Sequence, residues 1–156
     1  MAATDLDARI RRFLEQEGAA FREVRHAPVT TSEEAAAARG TPLGIGGKSL
    51  VLKVDDRFEL FVVSAAVKLA SREARRAAGA RRSRFATAAE LLALTGCRPG
   101  CVPPFGPPIL DLPLNAHRSV LAHDRIAFTP GVHHASIVMA TADWVRVARP
   151  RLFPGP

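Results

Sequence analysis

The segment CRPGCVPPFGPP, residues 97–108, constrains the fold of this chain more than any other stretch. Five of its twelve residues are proline and two are glycine. Proline lacks the N–H group that helices and sheet ladders require, and glycine readily adopts positive φ, so no regular element can absorb the segment. We therefore predict a stiff loop of fixed shape, with separate sets of helices and strands before and after it.

The N-terminal part of the chain is predicted to contain two helices and a strand. Apolar residues recur at helical spacing over residues 5–17, which predicts an amphipathic helix closed by Gly18. Phe21–Arg25 is a strand candidate. Thr31 and Glu34 are spaced as a capping box, and Gly40 is placed to end the helix that follows.

The middle of the chain is predicted to contain a hairpin and two further helices. Two alternating segments, 48–54 and 58–64, are joined by the turn-forming DDR and predict a β-hairpin. A helix over residues 71–78 should end at Gly79. Thr87 and Glu90 form a second capping box, and Gly96 should stop that helix.

After the loop we predict four strands, at 109–114, 119–122, Arg125–Phe128 and Ala135–Ala140. Thr141 is predicted to cap a last helix, and the tail from residue 149 is predicted to be loosely ordered. Helices and strands interleave without regular βαβ units. The expected fold class is therefore α/β (α+β), a single compact domain over residues 1–156 with a mixed sheet flanked by helices.

Composition is that of an ordinary soluble globular protein. The chain has 156 residues, of which 47% are hydrophobic and 24% charged, and no apolar run approaches the roughly 20 residues of a membrane span. The N-terminus lacks the apolar segment of a secretory signal, so a cytoplasmic location is expected. The formal net charge of +7 favours a polyanionic partner, nucleic acid before membrane surface.

The arginines are clustered, and two interpretations of the clusters are open. One is a solvated surface in an arginine-rich composition. The other is a face that meets an anionic ligand, because arginines at helical spacing share one side of a helix. The clustered arginines are Arg72, Arg75, Arg76, Arg81, Arg82 and Arg84.

Two cysteines raise the question of a metal site. Cys97 and Cys101 do not suggest a disulfide framework, and their spacing matches no usual zinc finger or ribbon, so free thiols are favoured. A zinc hydrolase remains the alternative, with further ligands from the histidines downstream. Those histidines are His117, His123, His133 and His134. We predict no metal and no other cofactor.

The stretch GIGGKSLVLKV resembles the end of a phosphate-binding loop. Gly47, Lys48 and Ser49 match that pattern, but Pro42 stands where its first glycine belongs. The residues that follow predict a strand, whereas such a loop must open a helix. A nucleoside triphosphate site is therefore disfavoured, and Lys48 needs another explanation.

Several segments in order carry a resemblance to a known family. HAPVTTSEEAAAARG, KSLVLKV and AAELLALTGCRPGCVPPFG, then Gly131 with a closing strand and helix, resemble the YbaK family, also called the prolyl-tRNA synthetase associated domain. The resemblance covers residues 24–147. It implies a mixed, strongly curved sheet with helices around it, and an editing enzyme that hydrolyses the ester joining a wrong amino acid to the 3′ end of tRNA.

The resemblance also implies which residues form the site. Lys48 is implied to meet the phosphate and sugar of the terminal adenosine and to orient the ester. Hydrolysis of an activated ester needs a positioned water and donors for the oxyanion, which backbone N–H groups of residues 100–106 can supply. The predicted catalytic residues are Lys48, Gly100, Cys101, Val102 and Pro104. The predicted substrate-binding residues are His26, Thr30, Lys48, Phe105, Gly106, Asn115, Gly131, His133 and His134.

The substrate and the activity are left partly open by the sequence. Asn115 stands where many relatives have an aspartate, and no serine or cysteine triad is evident. We expect a trans-acting deacylase for a small amino acid such as Cys, Ala or Ser on tRNA, with tRNA-Pro as one carrier and a synthetase as one further partner. The alternative is a non-catalytic tRNA- or RNA-binding module of the same fold.

Overall fold

A computed structural model describes residues 3–153 of the chain. The helices are α1 (Ala3–Gln16), α2 (Ser32–Arg39), α3 (Ser71–Ala77), α4 (Ala88–Thr95), α5 (Arg118–Leu121) and α6 (Thr141–Ala148). The strands are β1 (Phe21–Arg25), β2 (Gly47–Val54), β3 (Arg57–Ser64), β4 (Ser83–Phe85), β5 (Leu114–His117), β6 (Arg125–Phe128), β7 (Ala135–Ala140) and β8 (Arg151–Phe153). Within this part of the chain, no helix combines the length and apolarity needed to cross a bilayer.

The strands form a five-stranded sheet in the order β4-β2-β3-β5-β8 and a three-stranded sheet in the order β1-β7-β6. β2 and β3 are the predicted antiparallel hairpin, whereas β3, β5 and β8 run parallel. A single bridge between Gly46 and Ala127 joins the two sheets where β2 begins. The predicted α/β fold with a mixed sheet is therefore confirmed.

The predicted helix ends are confirmed where capping residues define them. The side chain of Thr31 accepts a hydrogen bond from Glu34, and Thr87 does the same with Glu90. Gly40 and Gly96 end these two helices with φ of 71° and 72°. These ends follow from local chemistry, because a cap needs only residues three or four positions apart.

The proline-rich segment contains no helix or strand and is anchored by large aromatic side chains. Phe105 is fully buried and makes edge-on contacts with Phe13 and Phe128, with ring centroids 6.1 and 5.4 Å apart. Trp144 Nε1 donates a hydrogen bond to the Pro104 carbonyl at 2.9 Å. These contacts attach the end of the segment to α1, β6 and α6.

Two of the predicted strands are wrong. Residues 109–113 form a turn, because the N–H groups of Ile109 and Leu110 both donate to the Gly106 carbonyl, and β5 begins only at Leu114. Residues 119–122 fall largely in α5, whose first turn is capped by the His117 side chain. An imidazole cap is not among the residues that usually signal a helix start.

The chain end also differs from the prediction. Ala140 is the N-cap of α6, and Thr141 is the first helical residue and makes no capping bond. Residues 151–153 are not loose but form β8, parallel to β5, because Phe153 packs on Phe61 with ring centroids 5.9 Å apart. Residues 154–156 lie outside the described part of the chain. The short strand β4 was not predicted.

Candidate active site

A cleft of about 230 Å³ opens where β2 begins, between α2 and the proline-rich loop. The residues that determine its chemistry are Thr30, Arg39, Lys48, Ser49, Gly100 and Val102. Four of these were predicted from the sequence, namely Thr30, Lys48, Gly100 and Val102. The structure therefore brings the predicted lysine and the predicted loop to one place, although 52 residues separate Lys48 from Gly100.

Lys48 is half-buried at the start of β2. Its Nζ donates one hydrogen bond to the Val67 carbonyl at 3.2 Å. An ammonium group has three N–H donors, so two remain to bind an anion in the cleft. The bond to Val67 restricts the position of Nζ and thereby prepares it for a ligand.

Gly100 is held against α2 in a conformation that only glycine adopts readily. Its φ is +90°, and a Cβ placed there would lie 2.8 Å from the Thr30 carbonyl oxygen. From the other side, the Thr129 hydroxyl donates to the Gly100 carbonyl at 3.0 Å. The loop backbone is therefore fixed between two segments that both line the cleft.

Few N–H groups in residues 100–106 are free to bind a substrate. Two of the residues are prolines and have none, and Cys101 and Phe105 donate theirs inside the loop region at 3.2 and 3.0 Å. Within residues 3–153, the N–H groups of Gly100, Val102 and Gly106 have no protein acceptor, and of these three residues Gly100 and Val102 line the cleft. These two N–H groups are the candidate oxyanion donors.

Arg39, which the sequence analysis missed, is a second cation in the cleft. Its Nε donates to the Ser136 hydroxyl at 2.9 Å, and burial lowers the pKa of its guanidinium to about 10, so it stays charged at neutral pH. No carboxylate of the described residues lies within ion-pair distance of it. The last residue of a short alanine-rich helix gave no sequence signal for this role.

His26 orients Arg39 through an intermediate residue and does not line the cleft. Its Nδ1 lies 2.9 Å from the Ala27 carbonyl and must donate to it. In the neutral imidazole Nε2 then accepts from the Ser136 hydroxyl at 2.8 Å. Ser136 thereby keeps a lone pair that accepts from Arg39 Nε, so hydrogen bonds connect His26 to Arg39 through Ser136.

The other residues of the predicted site do not line the cleft. They are Cys101, Pro104, His26, Phe105, Gly106, Asn115, Gly131, His133 and His134. Phe105 lies in the core, and Gly131 packs on α1, where an added Cβ would lie 2.9 Å from Leu6. His133 Nε2 lies 3.3 Å from the Pro99 carbonyl, which connects it to the loop.

Cys97 and Cys101 are both buried, with exposed fractions of 1% and 3%. The two thiols interact, and this contact lowers the pKa of Cys101 while it raises the pKa of Cys97. The Cys101 sulfur lies 3.3 Å from the Arg98 carbonyl and packs in the core. Among residues 3–153, no group of three or more His, Cys, Asp or Glu side chains is placed to hold a metal ion.

Asn115 is fully buried in the five-stranded sheet. Its Nδ2 donates to Glu59 Oε1 at 3.0 Å, and its Oδ1 accepts from Arg151 Nε at 2.7 Å. Arg151 also binds Glu59 at 2.8 Å. This network joins β3, β5 and β8. An aspartate at this position would place a second carboxylate against Glu59, which explains why an amide suits this chain.

We expect Asn115→Ala to lower the free energy of unfolding by about 1–3 kcal/mol, because it removes the hydrogen bonds of the Asn115 amide with Glu59, the Leu60 carbonyl and Arg151. Ester hydrolysis should stay within about twofold of wild type, because the cleft is not touched. Urea unfolding and single-turnover kinetics on the same preparations check both expectations. A variant with unchanged stability and lost hydrolysis would place Asn115 in substrate binding.

Fold and cleft together define a class of protein. Within residues 3–153 the cleft lining holds two cations and several hydroxyl groups but no carboxylate and no imidazole. Such a lining offers donors for an anion and has no nucleophile–base pair of its own. The class is a small α/β domain whose cleft carries cationic and hydroxyl side chains.

Comparisons with known proteins give this class its family. The family model described as aminoacyl-tRNA editing domain matches residues 26–147. Over 147 residues the chain is 38% identical to the multifunctional Ser/Thr-tRNA deacylase ProXp-y of Escherichia coli K12, covering 89% of this chain and 86% of that protein. The chain therefore belongs to the aminoacyl-tRNA editing domain family, which confirms the predicted YbaK-type deacylase.

Solved structures agree with this assignment. A crystal structure described as a candidate trans-editing enzyme for prolyl tRNA synthetase superposes with a TM-score of 0.80 at 28% identity, covering 96% of this chain and 95% of that one. A structure from work on epitope backbone grafting onto scaffold proteins superposes with a TM-score of 0.81 at 27% identity, covering 96% of each chain.

Proposed function

We propose that this protein is a trans-acting deacylase that removes a small, wrongly attached amino acid from tRNA. The observation that carries the proposal is the meeting of Lys48 with the free N–H groups of Gly100 and Val102 in one cleft. Cations at one side and oxyanion donors at the other match an ester whose alcohol is a nucleotide. Family membership and the Ser/Thr-tRNA deacylase relative support the same reaction.

In the proposed mechanism Lys48 and Arg39 bind the phosphate next to the acylated ribose. This places the ester carbonyl against Gly100 and Val102, whose N–H groups stabilise the negative charge that develops on its oxygen. A water molecule attacks the carbonyl carbon, assisted by a hydroxyl of the substrate ribose, and its oxygen forms the new C–O bond. The acyl C–O bond then breaks, and the ribose oxygen leaves with a proton.

The Ser/Thr-tRNA deacylase relative supports serine or threonine as the amino acid removed. A site that hydrogen-bonds the substrate hydroxyl rejects alanine, because its polar groups are then left unpaired.

Arg39→Gln is expected to raise KM for mischarged tRNA about tenfold with a smaller effect on kcat, because it removes a cation that binds substrate before and during reaction. Arg39→Lys keeps the charge but not the bond geometry to Ser136, so an intermediate KM is expected. Ser136→Ala, which frees Arg39 without removing it, should have the mildest effect. Steady-state kinetics with unfolding controls test this order.

The proposal is tested with a panel of tRNAs charged with Ser, Thr, Ala or Cys, including tRNA-Pro as carrier. Release of amino acid from a seryl or threonyl ester is expected. Folded protein that hydrolyses no member of the panel would contradict the proposal. We further propose that a synthetase recruits the enzyme. Repeating the panel with the synthetase of the same tRNA should then give faster release of the amino acid.

A non-catalytic RNA-binding module is the second candidate, favoured by the net charge of +7. It predicts tRNA binding that weakens steeply with salt, and no turnover by either the wild type or Lys48→Ala. Hydrolysis by the wild type alone would favour the enzyme.

A further inference from the structure

A second depression lies at the other end of β2, away from the cleft. It is a shallow groove of about 450 Å³ whose cations outnumber its two carboxylates, Asp55 and Asp56. The cations that line it are Lys53, Arg75, Arg81, Arg82 and Arg84. The proposed reaction does not use this groove.

Most of the positive charge in the groove is available to a ligand. Arg84 is paired with Glu90 through two bonds of 2.8 and 2.9 Å, and this contact lowers the pKa of Glu90 to about 2. The Asp55 carboxylate accepts hydrogen bonds from the backbone N–H groups of Arg81 and Arg82 and not from their guanidinium groups. In the described part of the chain, the guanidinium groups of Arg81 and Arg82 make no hydrogen bond or ion pair, and both residues are exposed, although the charge of Arg82 helps to lower the pKa of Asp55.

The groove and the cleft follow the same edge of one strand. β3 pairs along the whole of one side of β2, and β4 pairs on the other side only with residues 52–54. Lys48 and Ser49, which line the cleft, lie on the part of β2 that does not pair with β4. Lys53, which lines the groove, lies on the part that does. At roughly 3.3 Å per residue, the Cα atoms of Lys48 and Lys53 are about 16 Å apart along the strand.

Phe85 lies between the two sites, and 46% of its surface is exposed. It is the partner of Leu52 in the β2–β4 ladder, whereas Arg81 and Arg82 precede Ser83, the partner of Val54. Side chains alternate along a strand, so Phe85 shares a face of the sheet with Leu52 and Lys48. An exposed aromatic ring thus stands on the path from the cleft cation to the arginines.

We propose that Phe85, Arg75, Arg81 and Arg82 form a tRNA track that binds the nucleotides leading to the acylated end. Phe85 stacks on a base, and the arginines bind phosphates of the adjoining backbone. Aromatic rings interleaved with cations are the way proteins bind single-stranded nucleic acid without reading its sequence. This inference rests on the proposed function, because it assumes that the cleft holds the terminal nucleotide.

The binding test uses uncharged tRNA, so it does not depend on hydrolysis. Arg81→Gln with Arg82→Gln should weaken binding about tenfold and reduce the slope of log Kd against log salt by about 2. Phe85→Ala should weaken binding about tenfold with the slope unchanged. The matched control is Arg12→Gln with Arg22→Gln. These substitutions remove the same charge from exposed residues of α1 and β1, which do not line the groove. That control should bind within about twofold of wild type.

The kinetic test separates this inference from the proposed function. On mischarged tRNA the track variants should raise KM and keep kcat, whereas on an aminoacyl ester of adenosine alone they should match the wild type. Track variants that bind tRNA as the control does, while remaining folded, would overturn the inference and leave the deacylase intact. Loss of synthetase binding with unchanged tRNA binding would also overturn it, since the surface would then dock a protein.

Discussion

Lys48→Ala is expected to hydrolyse mischarged tRNA about 100- to 1000-fold more slowly than the wild type. Lys48 is tied to Val67 beside the two free N–H groups of the loop, so its loss removes both a phosphate ligand and the alignment of the ester. Effects of this size are typical when one preorganised charge is removed from an active site. Single-turnover measurements with saturating enzyme give the rate of the chemical step.

The matched control for this variant is Lys68→Ala. Lys68 is exposed, lies outside the cleft and has no hydrogen bond or ion pair within residues 3–153. The Lys68→Ala substitution removes the same side chain as Lys48→Ala and should keep the wild-type rate within about twofold. Equal rates for Lys48→Ala and Lys68→Ala would remove Lys48 from the mechanism.

Gly100→Ala is expected to slow hydrolysis about 100-fold and to lower the free energy of unfolding by about 1–3 kcal/mol. The added Cβ would lie 2.8 Å from the Thr30 carbonyl oxygen, at a φ of +90° that alanine rarely adopts. The loop must move to relieve this contact, and the N–H groups of Gly100 and Val102 move with it. A displacement of about 1 Å is enough for a rate loss of this size.

Gly79→Ala separates the backbone effect from the contact. Gly79 also has positive φ, at +64°, but a Cβ there would meet nothing within 4 Å. It should lose about 1 kcal/mol of stability and keep full activity. Chemical unfolding and hydrolysis rates, measured on both variants, show whether the two losses are separable. If Gly100→Ala were as active as Gly79→Ala, the loop would not supply the oxyanion donors.

The local elements of the fold could be predicted because their causes lie within a few residues. The capping boxes at Thr31 and Thr87 define helix starts by contacts three positions apart. The β2–β3 hairpin follows from alternation around a short turn. The strand predicted at 119–122 failed because a histidine capped a helix there. β8 was missed because its partner, β5, lies about 36 residues away in the sequence.

The site divides in the same way. Lys48 and the 100–106 loop were found because motif and order mark them in the chain. Phe105 lies in that loop and Asn115 lies in β5, and packing and pairing with distant residues placed them in the core and in the sheet. Neither burial could be known from the residues themselves.

The sequence by itself determined the helix caps, the hairpin, the stiff loop and the lysine at the start of β2, because each depends on neighbours along the chain. Only the tertiary structure decided that Arg39 enters the cleft, and that one strand edge runs from the cleft to the arginines. The reason is that burial, free donors and shared edges are relations between distant segments, which exist only after the chain has folded.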